Sequence, residues 1–225
     1  MDLFYQTFQL TLSLAFSATF ILLILGLPIA YLLSRTQSGW KPLLEALISL
    51  PLVLPPTVLG FYLLLALSPN SMLGGFLAEQ LGIKLIFSFE GLIAGSVIYS
   101  LPFMVQPIQS GFENLPGNLA EASYVLGKSK LTTLFKVLIP NIKPSIITAI
   151  VLSFAHTIGE FGVILMIGGN IPGETRVASI AIYDEVEAMN YAIANRYALV
   201  LIVFSFLILL LVYTFNKKYF RIKGR

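Results

Sequence analysis

Charged side chains and cysteine are scarce in this chain. Of its 225 residues, 11% are charged and 57% are hydrophobic, so there is too little polar surface to cover a water-soluble globule of this size. The absence of cysteine excludes disulfides and thiolate metal or redox sites, and a single histidine excludes a site built from several imidazoles. These absences favour a membrane protein without metal chemistry of its own.

Five apolar stretches come near the length of about 20 residues that a membrane-spanning helix needs. They are residues 10–33, 43–67, 91–108, 144–168 and 197–215. Each is predicted to be helical, because lipid cannot satisfy free backbone groups. The opening MDLFYQTFQ has no basic residue, so we expect no cleavable signal peptide. The fold class predicted is an all-α integral membrane protein with one domain over 1–225 and a core over 8–215.

Prolines interrupt four of the five predicted spans. The second span contains Pro51, Pro55 and Pro56, and each removes a backbone donor and disturbs a helical turn. We therefore expect a kink or a break there. Such breaks are tolerated beside other helices or a water-lined cavity, which favours a transport bundle over a simple membrane anchor.

The basic residues are placed asymmetrically. Eleven of the fourteen lysines and arginines lie between spans one and two, between spans three and four, and after span five. By the positive-inside rule that side is cytoplasmic. The N-terminus is therefore predicted to lie outside and the C-terminus inside, with the long connection 113–143 in the cytoplasm.

That connection contains Gly127-Lys128-Ser129, which matches the end of a phosphate-binding loop. The full motif needs an earlier glycine, where this chain has Ala122, and it must join a strand to a helix. The preceding run LAEASYVL has a helical pattern. The sequence therefore predicts that this loop does not bind ATP.

The same connection resembles the EAA loop of ABC importer permeases, whose pattern is Glu-Ala-Ala, three residues, Gly, nine residues, Ile, any residue, Leu-Pro. The matching positions here are Glu121, Ala122, Ser123, Gly127, Val137, Ile139 and Pro140. Ser123, Val137 and Ile139 depart from the consensus by small or isosteric changes. The residues themselves predict a helix that ends near Gly127, which can adopt φ > 0, followed by an amphipathic segment. An ordinary capped loop is the alternative.

Two further stretches, Ser49 to Leu65 and Ser153 to Arg176, resemble the permeases of molybdate importers. The related sulfate and thiosulfate permeases share much of both. The segment from Asn170 to Arg176 favours molybdate, while sulfate, thiosulfate and tungstate stay open as cargo.

This resemblance implies a type I ABC importer permease in a bacterial cytoplasmic membrane. It implies a homodimer of this chain, two ATP-binding subunits that dock on the EAA loop, and an extracytoplasmic oxyanion-binding protein. ATP would be bound by the partner subunit, so this chain would need no cofactor and would not be an enzyme. Lipid surrounds it, and no nucleic-acid partner is expected.

The fourth span holds two ionisable groups, His156 and Glu160, four residues apart. They are therefore predicted to share one helix face and to be able to touch. With Gly159, Phe161 and Gly162 they are candidates for a gate or a transport pathway, because buried ionisable groups in a membrane face the protein interior or a water-filled path. A mutually satisfied pair that fixes helix packing is the alternative.

The outer stretch ASIAIYDEV, from Ala178 to Val186, is either a surface helix that touches the binding protein or a loop. An ion-coupled secondary transporter is a competing function class. It would be expected to show internal repeats and several intramembrane carboxylates, whereas only Glu160 lies deep in a span. A channel without a motor would leave the EAA spacing unexplained.

Overall fold

The computed structural model describes residues 3–80 and 82–223, with side chains described as far as residue 210 and at Thr214. The two ends of the predicted domain 1–225, and Arg225 of its basic C-terminal cluster, lie outside the described residues. Within them, all regular structure is helical. The helices are α1 (Leu3–Arg35), α2 (Lys41–Val53), α3 (Pro56–Leu67), α4 (Met72–Gln80), α5 (Phe89–Glu113), α6 (Asn118–Val125), α7 (Lys130–Thr133), a π-helical turn (Leu134–Leu138), α8 (Ile139–Asn141), α9 (Lys143–Gly159), α10 (Gly162–Gly168), α11 (Ala178–Glu187) and α12 (Tyr191–Lys223).

In the described part of the chain, three helices are long and apolar enough to cross a membrane: α1, α5 and the Tyr191–Leu210 part of α12. Two bent pairs raise the count to as many as five. One is α2 with α3, bent by 110°, and the other joins the segment 130–141 to α9 at 73°. The chain is thus an all-α membrane protein.

The expected break in the second span is confirmed at Leu54 and Pro55. Both precede a proline, a position at which the α conformation is sterically disfavoured, and both are extended, with ψ of 138° and 134°. Pro51 stays inside α2. The prolines of the first and third spans likewise lie within unbroken helices, α1 and α5.

Helix α5 lies at the centre of the bundle and packs against α1, α2, α9 and α10. Small residues on α1 allow the closest approach: Ala18 and Ala30 are fully buried, and a Cβ on Gly26 would lie 2.6 Å from the Met104 side chain. In lipid, helix association depends on such close packing rather than on removal of apolar surface from water. Leu22 completes this seam. The seam fixes α5, which in turn positions the cavity described below.

Candidate functional site

Residues 118–141 form a helical hairpin at one end of the bundle, and Gly127 forms its turn. Gly127 has φ of +73°, its N–H donates to the Tyr124 carbonyl at 2.9 Å, and the next N–H, of Lys128, donates to the Ser123 carbonyl at 3.1 Å. This pair of bonds is a Schellman motif, which closes a helix around a left-handed residue. The predicted helix end at Gly127 is confirmed.

The Gly-Lys-Ser sequence at the turn has a structural role. The hydroxyl of Ser129 accepts a hydrogen bond from the Thr132 backbone N–H at 3.2 Å and so caps α7. The turn joins two helices, α6 and α7, and not a strand to a helix. The arrangement lacks the strand-to-helix geometry of a phosphate-binding loop.

The hairpin is held closed by two buried hydroxyls. Ser123 and Thr133 lie 2.8 Å apart, one on each arm, and both are buried. Ser123 stands at the third position of the Glu-Ala-Ala pattern, where the small side chain fits against the second arm. Serine at this position, in place of the consensus alanine, therefore adds a contact between the two arms of the hairpin.

The other motif positions divide between the two faces of the hairpin. Val137 and Ile139 pack against the core shared with α1 and α5, next to the fully buried Leu138. Pro140 is the second residue of the short α8, which continues directly from the π-helical turn. Glu121 and Ala122 are exposed, as is Gly127.

The tip of the hairpin carries apolar side chains that no other described element covers. Val125, Leu126 and Leu131 are 87%, 76% and 68% exposed. An apolar patch of this kind on a loop marks a docking surface. Sequence reasoning missed these three residues, although their position next to the turn glycine in a loop outside the predicted spans was a readable signal.

A cavity of about 460 Å³ lies between α3, α5, α9 and α10. All five residues predicted for a gate line it. They are His156, Gly159, Glu160, Phe161 and Gly162, and the remaining lining residues are Pro56, Thr57, Tyr99 and Ala155.

Glu160 stands at a break between two helices, so the expectation of one continuous fourth span is wrong. Helix α9 ends at Gly159, and Glu160 is extended, with φ of −65° and ψ of 134°. Glycines on both sides of the Glu160–Phe161 pair lower the helical propensity there. The Glu160 side chain is 3% exposed, and its polar neighbour is the fully buried Ser96 hydroxyl of α5. Neither the carboxylate nor this hydroxyl completes a hydrogen bond within the described residues. A buried polar side chain without a partner is costly and typical of functional positions.

His156 does not pair with Glu160, which corrects the expected contact along one helix face. Its Nδ1 lies 2.8 Å from the Ser100 hydroxyl, and its ring stacks on Phe103 with centroids 4.1 Å apart. The partner belongs to α5, and the break removes the helical register that would have brought Glu160 alongside. The five residues predicted for a gate thus line one cavity, and His156 and Glu160 form no ion pair there.

The side chains of Ser100, His156 and Thr157 form a short polar chain between α5 and α9. The Thr157 hydroxyl donates to the Ser153 carbonyl at 2.9 Å. The Ser100 hydroxyl lies 3.2 Å from the Thr157 hydroxyl and 2.8 Å from His156 Nδ1. This chain holds the imidazole ring at the cavity wall.

The two glycines beside the break differ in their surroundings. A Cβ on Gly162 would lie 2.7 Å from Pro56 Cβ, so this glycine permits the close approach of α10 to α3 that its position predicts. A Cβ on Gly159 would meet nothing within 4 Å. Only Gly162 is required for helix packing.

A second polar cluster, which sequence reasoning missed, joins α2 to α5 near the hairpin. Its three side-chain bonds run from Lys41 to Glu113, from Gln109 to Glu45 and from Gln106 to Ser49, at 2.9, 2.6 and 2.9 Å. The paired residues lie 57 to 72 positions apart in sequence. All of them except Lys41 line a smaller cavity of about 290 Å³.

Comparison with known proteins places the chain in one family. Residues 22–221 match the model described as "Binding-protein-dependent transport system inner membrane component". The chain is 49% identical over 207 residues to the molybdenum transport system permease protein ModB of Azotobacter vinelandii, covering 92% of this chain and 91% of that protein. It is 34% identical to the sulfate transport system permease protein CysT of Salmonella typhimurium, covering 95% and 77%.

A solved structure supports the fold independently. An inward-facing MetNI methionine ABC transporter chain superposes with a TM-score of 0.73 at 19% identity, covering 96% of this chain and 95% of that chain. At this identity the likeness concerns the fold alone. With the family match spanning most of its length, this chain belongs to the inner membrane components of binding-protein-dependent transport systems.

Proposed function

We propose that this chain is the permease subunit of an ATP-driven importer that moves molybdate into the cell. The observation that carries the proposal is the 49% identity to a molybdenum transport permease over 92% of the chain, against 34% to a sulfate permease. As the membrane component of a transport system, the chain moves a cargo and is not itself an enzyme. It is a multi-pass protein of the cytoplasmic membrane.

The orientation proposed has the N-terminus outside and the hairpin inside. The distribution of basic residues supports it, since eleven of fourteen fall on the hairpin side. Helix α11 then faces the outside, where a binding protein would deliver the cargo.

The hairpin is the proposed docking element for a separate ATP-binding subunit. Its apolar tip, Val125, Leu126 and Leu131, has the chemistry to enter a groove on a protein partner. The buried Ser123–Thr133 contact and the Schellman turn make the hairpin rigid enough to carry a displacement. The base of the hairpin continues through the π-helical turn into Leu138, which packs on α1 and α5. We assign two copies of this chain, two ATP-binding subunits and one oxyanion-binding protein to the complex, with ATP bound by the partner.

The cavity at the Glu160–Phe161 break is the proposed gate. A dianionic cargo would be repelled by a bare carboxylate in a low-dielectric site, which argues against Glu160 as a cargo ligand. Glu160 is instead assigned to the closed state of the gate. It lies where α9 ends and α10 begins, next to α3. Alternating access then requires this break to move when ATP closes the inner side.

Uptake by proteoliposomes tests the function. The chain is reconstituted with its ATP-binding subunit and its binding protein. Radioactive molybdate is supplied on the side of the binding protein, and ATP is supplied on the side of the ATP-binding subunit. We expect molybdate uptake that requires ATP and is inhibited by unlabelled molybdate more strongly than by equal sulfate. A hydrolysis-deficient ATP-binding subunit is the matched control.

Two results would contradict the proposal. Uptake in which sulfate competes better than molybdate would assign the sulfate branch of the family, and tungstate is included as a third competitor. Uptake driven by an ion gradient without the ATP-binding subunit would indicate a secondary transporter.

A further inference from the structure

Helix α11 contacts the gate break at two points. The Ser179 hydroxyl donates to the Glu160 backbone carbonyl at 2.5 Å, and the Tyr183 ring packs on the Phe161 ring with centroids 4.9 Å apart. Ser179 and Tyr183 are four residues apart, so they lie on the same face of α11. One face of this helix therefore holds both residues of the break.

Helix α11 is also bonded to α1 and to the segment that precedes it. The Ala178 backbone N–H donates to Thr11 of α1 at 2.9 Å. The Arg176 guanidinium, largely buried, pairs with Asp184 and Glu185, each at 3.0 Å. These bonds tie the beginning of α11 to its last turn. The helix and the preceding segment are thereby expected to move as one body.

The Glu160 backbone has few other hydrogen bonds. Its N–H makes one long bond, 3.3 Å, to the Thr157 carbonyl, and its carboxylate forms none within the described residues. Phe161 also packs in the core cluster around Leu92, and a Cβ on Gly162 would lie against α3. Helix α11 therefore supplies the side-chain hydrogen bond to the Glu160 backbone and shares the packing that holds Phe161.

We infer that Ser179 and Tyr183 are positioning residues that hold the Glu160–Phe161 break in its place in the cavity wall, so that displacement of α11 moves this wall and widens access to the cavity. This inference rests on the proposed gate function of the break. Ser179 and Tyr183 act through the break and line no part of the cavity. The exposed side of α11, which includes Val186 and Glu187, would then be the surface through which the outside controls the gate.

The absence of native cysteine allows a direct test by thiol labelling. Ala155→Cys places one thiol on the cavity wall. A polar maleimide is applied to the purified permease–ATPase complex in detergent without nucleotide, and the labelling rate is measured by mass spectrometry. Ser179→Ala should raise the rate about two- to tenfold, the shift in a closed–open equilibrium that one net hydrogen bond supports. Ser179→Thr retains the hydroxyl and should label at the rate of the parent.

Variants at Tyr183 separate the ring contact from the hydroxyl. Tyr183→Ala should raise the labelling rate by a similar factor, because an aromatic pair contributes a comparable free energy. Tyr183→Phe keeps the ring and loses only the bond to Glu187, so its rate should stay at the parental value. A helix that was merely structural would give equal Ala155→Cys labelling in all four variants.

The two proposals fail in different ways. If the wild-type complex transports molybdate and the four variants label equally, the inference about α11 is wrong and the proposed function stands. If the wild-type complex transports no oxyanion with ATP, the proposed function fails, whatever the labelling rates.

Discussion

Replacing Gly127 with valine should weaken binding of the ATP-binding subunit without unfolding the membrane bundle. Gly127 has φ of +73°, and a Cβ there would meet nothing within 4 Å, so the whole penalty comes from the backbone. A left-handed conformation costs an L-residue about 1–2 kcal/mol, and a β-branched side chain is at the upper end. If the hairpin must keep this turn to dock, the affinity should fall about 5- to 30-fold.

Affinity is measured between the detergent-purified permease and its ATP-binding subunit by surface plasmon resonance, with ATP-dependent uptake measured in parallel. Gly127→Asn is the control at the same site, because asparagine tolerates the left-handed region, and most of the affinity should return. Gly117→Val is the control in the same connection, where φ is −58° and the space is open, and a much smaller change is expected. Equal affinity of Gly127→Val and the wild type would refute the argument that the Schellman turn is needed for docking.

Three further predictions follow from the orientation, the carboxylate and the glycines. A reporter active only outside the cytoplasm should be active when fused near Asn70 and silent near Gly127, and activity at the latter would reverse the orientation. Glu160→Gln should raise basal ATP hydrolysis of the reconstituted complex and lower its stimulation by loaded binding protein, and an unchanged ratio would count against a gate. Gly162→Ala should destabilise the purified chain by about 1–3 kcal/mol in thermal unfolding, because its Cβ would lie 2.7 Å from the first proline of α3, while Gly159→Ala, with open space, should not.

The features of the fold that could be predicted from the sequence are those that depend on neighbouring residues alone. The break at Leu54 and Pro55 follows from a steric rule that involves only neighbouring residues, and the turn at Gly127 follows from the freedom of glycine. Neither needs knowledge of the rest of the molecule. The turn was predicted at Gly127, and the break was predicted within the proline-containing second span without a residue assigned to it.

Features that depend on distant parts of the chain were not predicted. No proline lies next to the break at Glu160, and an apolar run with isolated glycines is compatible with a continuous helix. The partner of His156 is Ser100, 56 residues earlier, so the pair exists only because α5 packs against α9. The five residues predicted for a gate line one cavity, whereas their arrangement around it depends on tertiary packing.

The proline link between α2 and α3 restricts the surroundings that the backbone at this link can have. Because Pro55 and Pro56 have no N–H, backbone carbonyls in the last turn of α2 lack their helical donors, and Val53 beside them is 82% exposed in the single chain. Hydrocarbon cannot solvate such groups, and each would cost several kcal/mol there. This stretch must therefore lie against another protein surface or against water. During biogenesis, a lone copy inserted in the bilayer would carry this penalty until a second copy or a hydrated channel covered it.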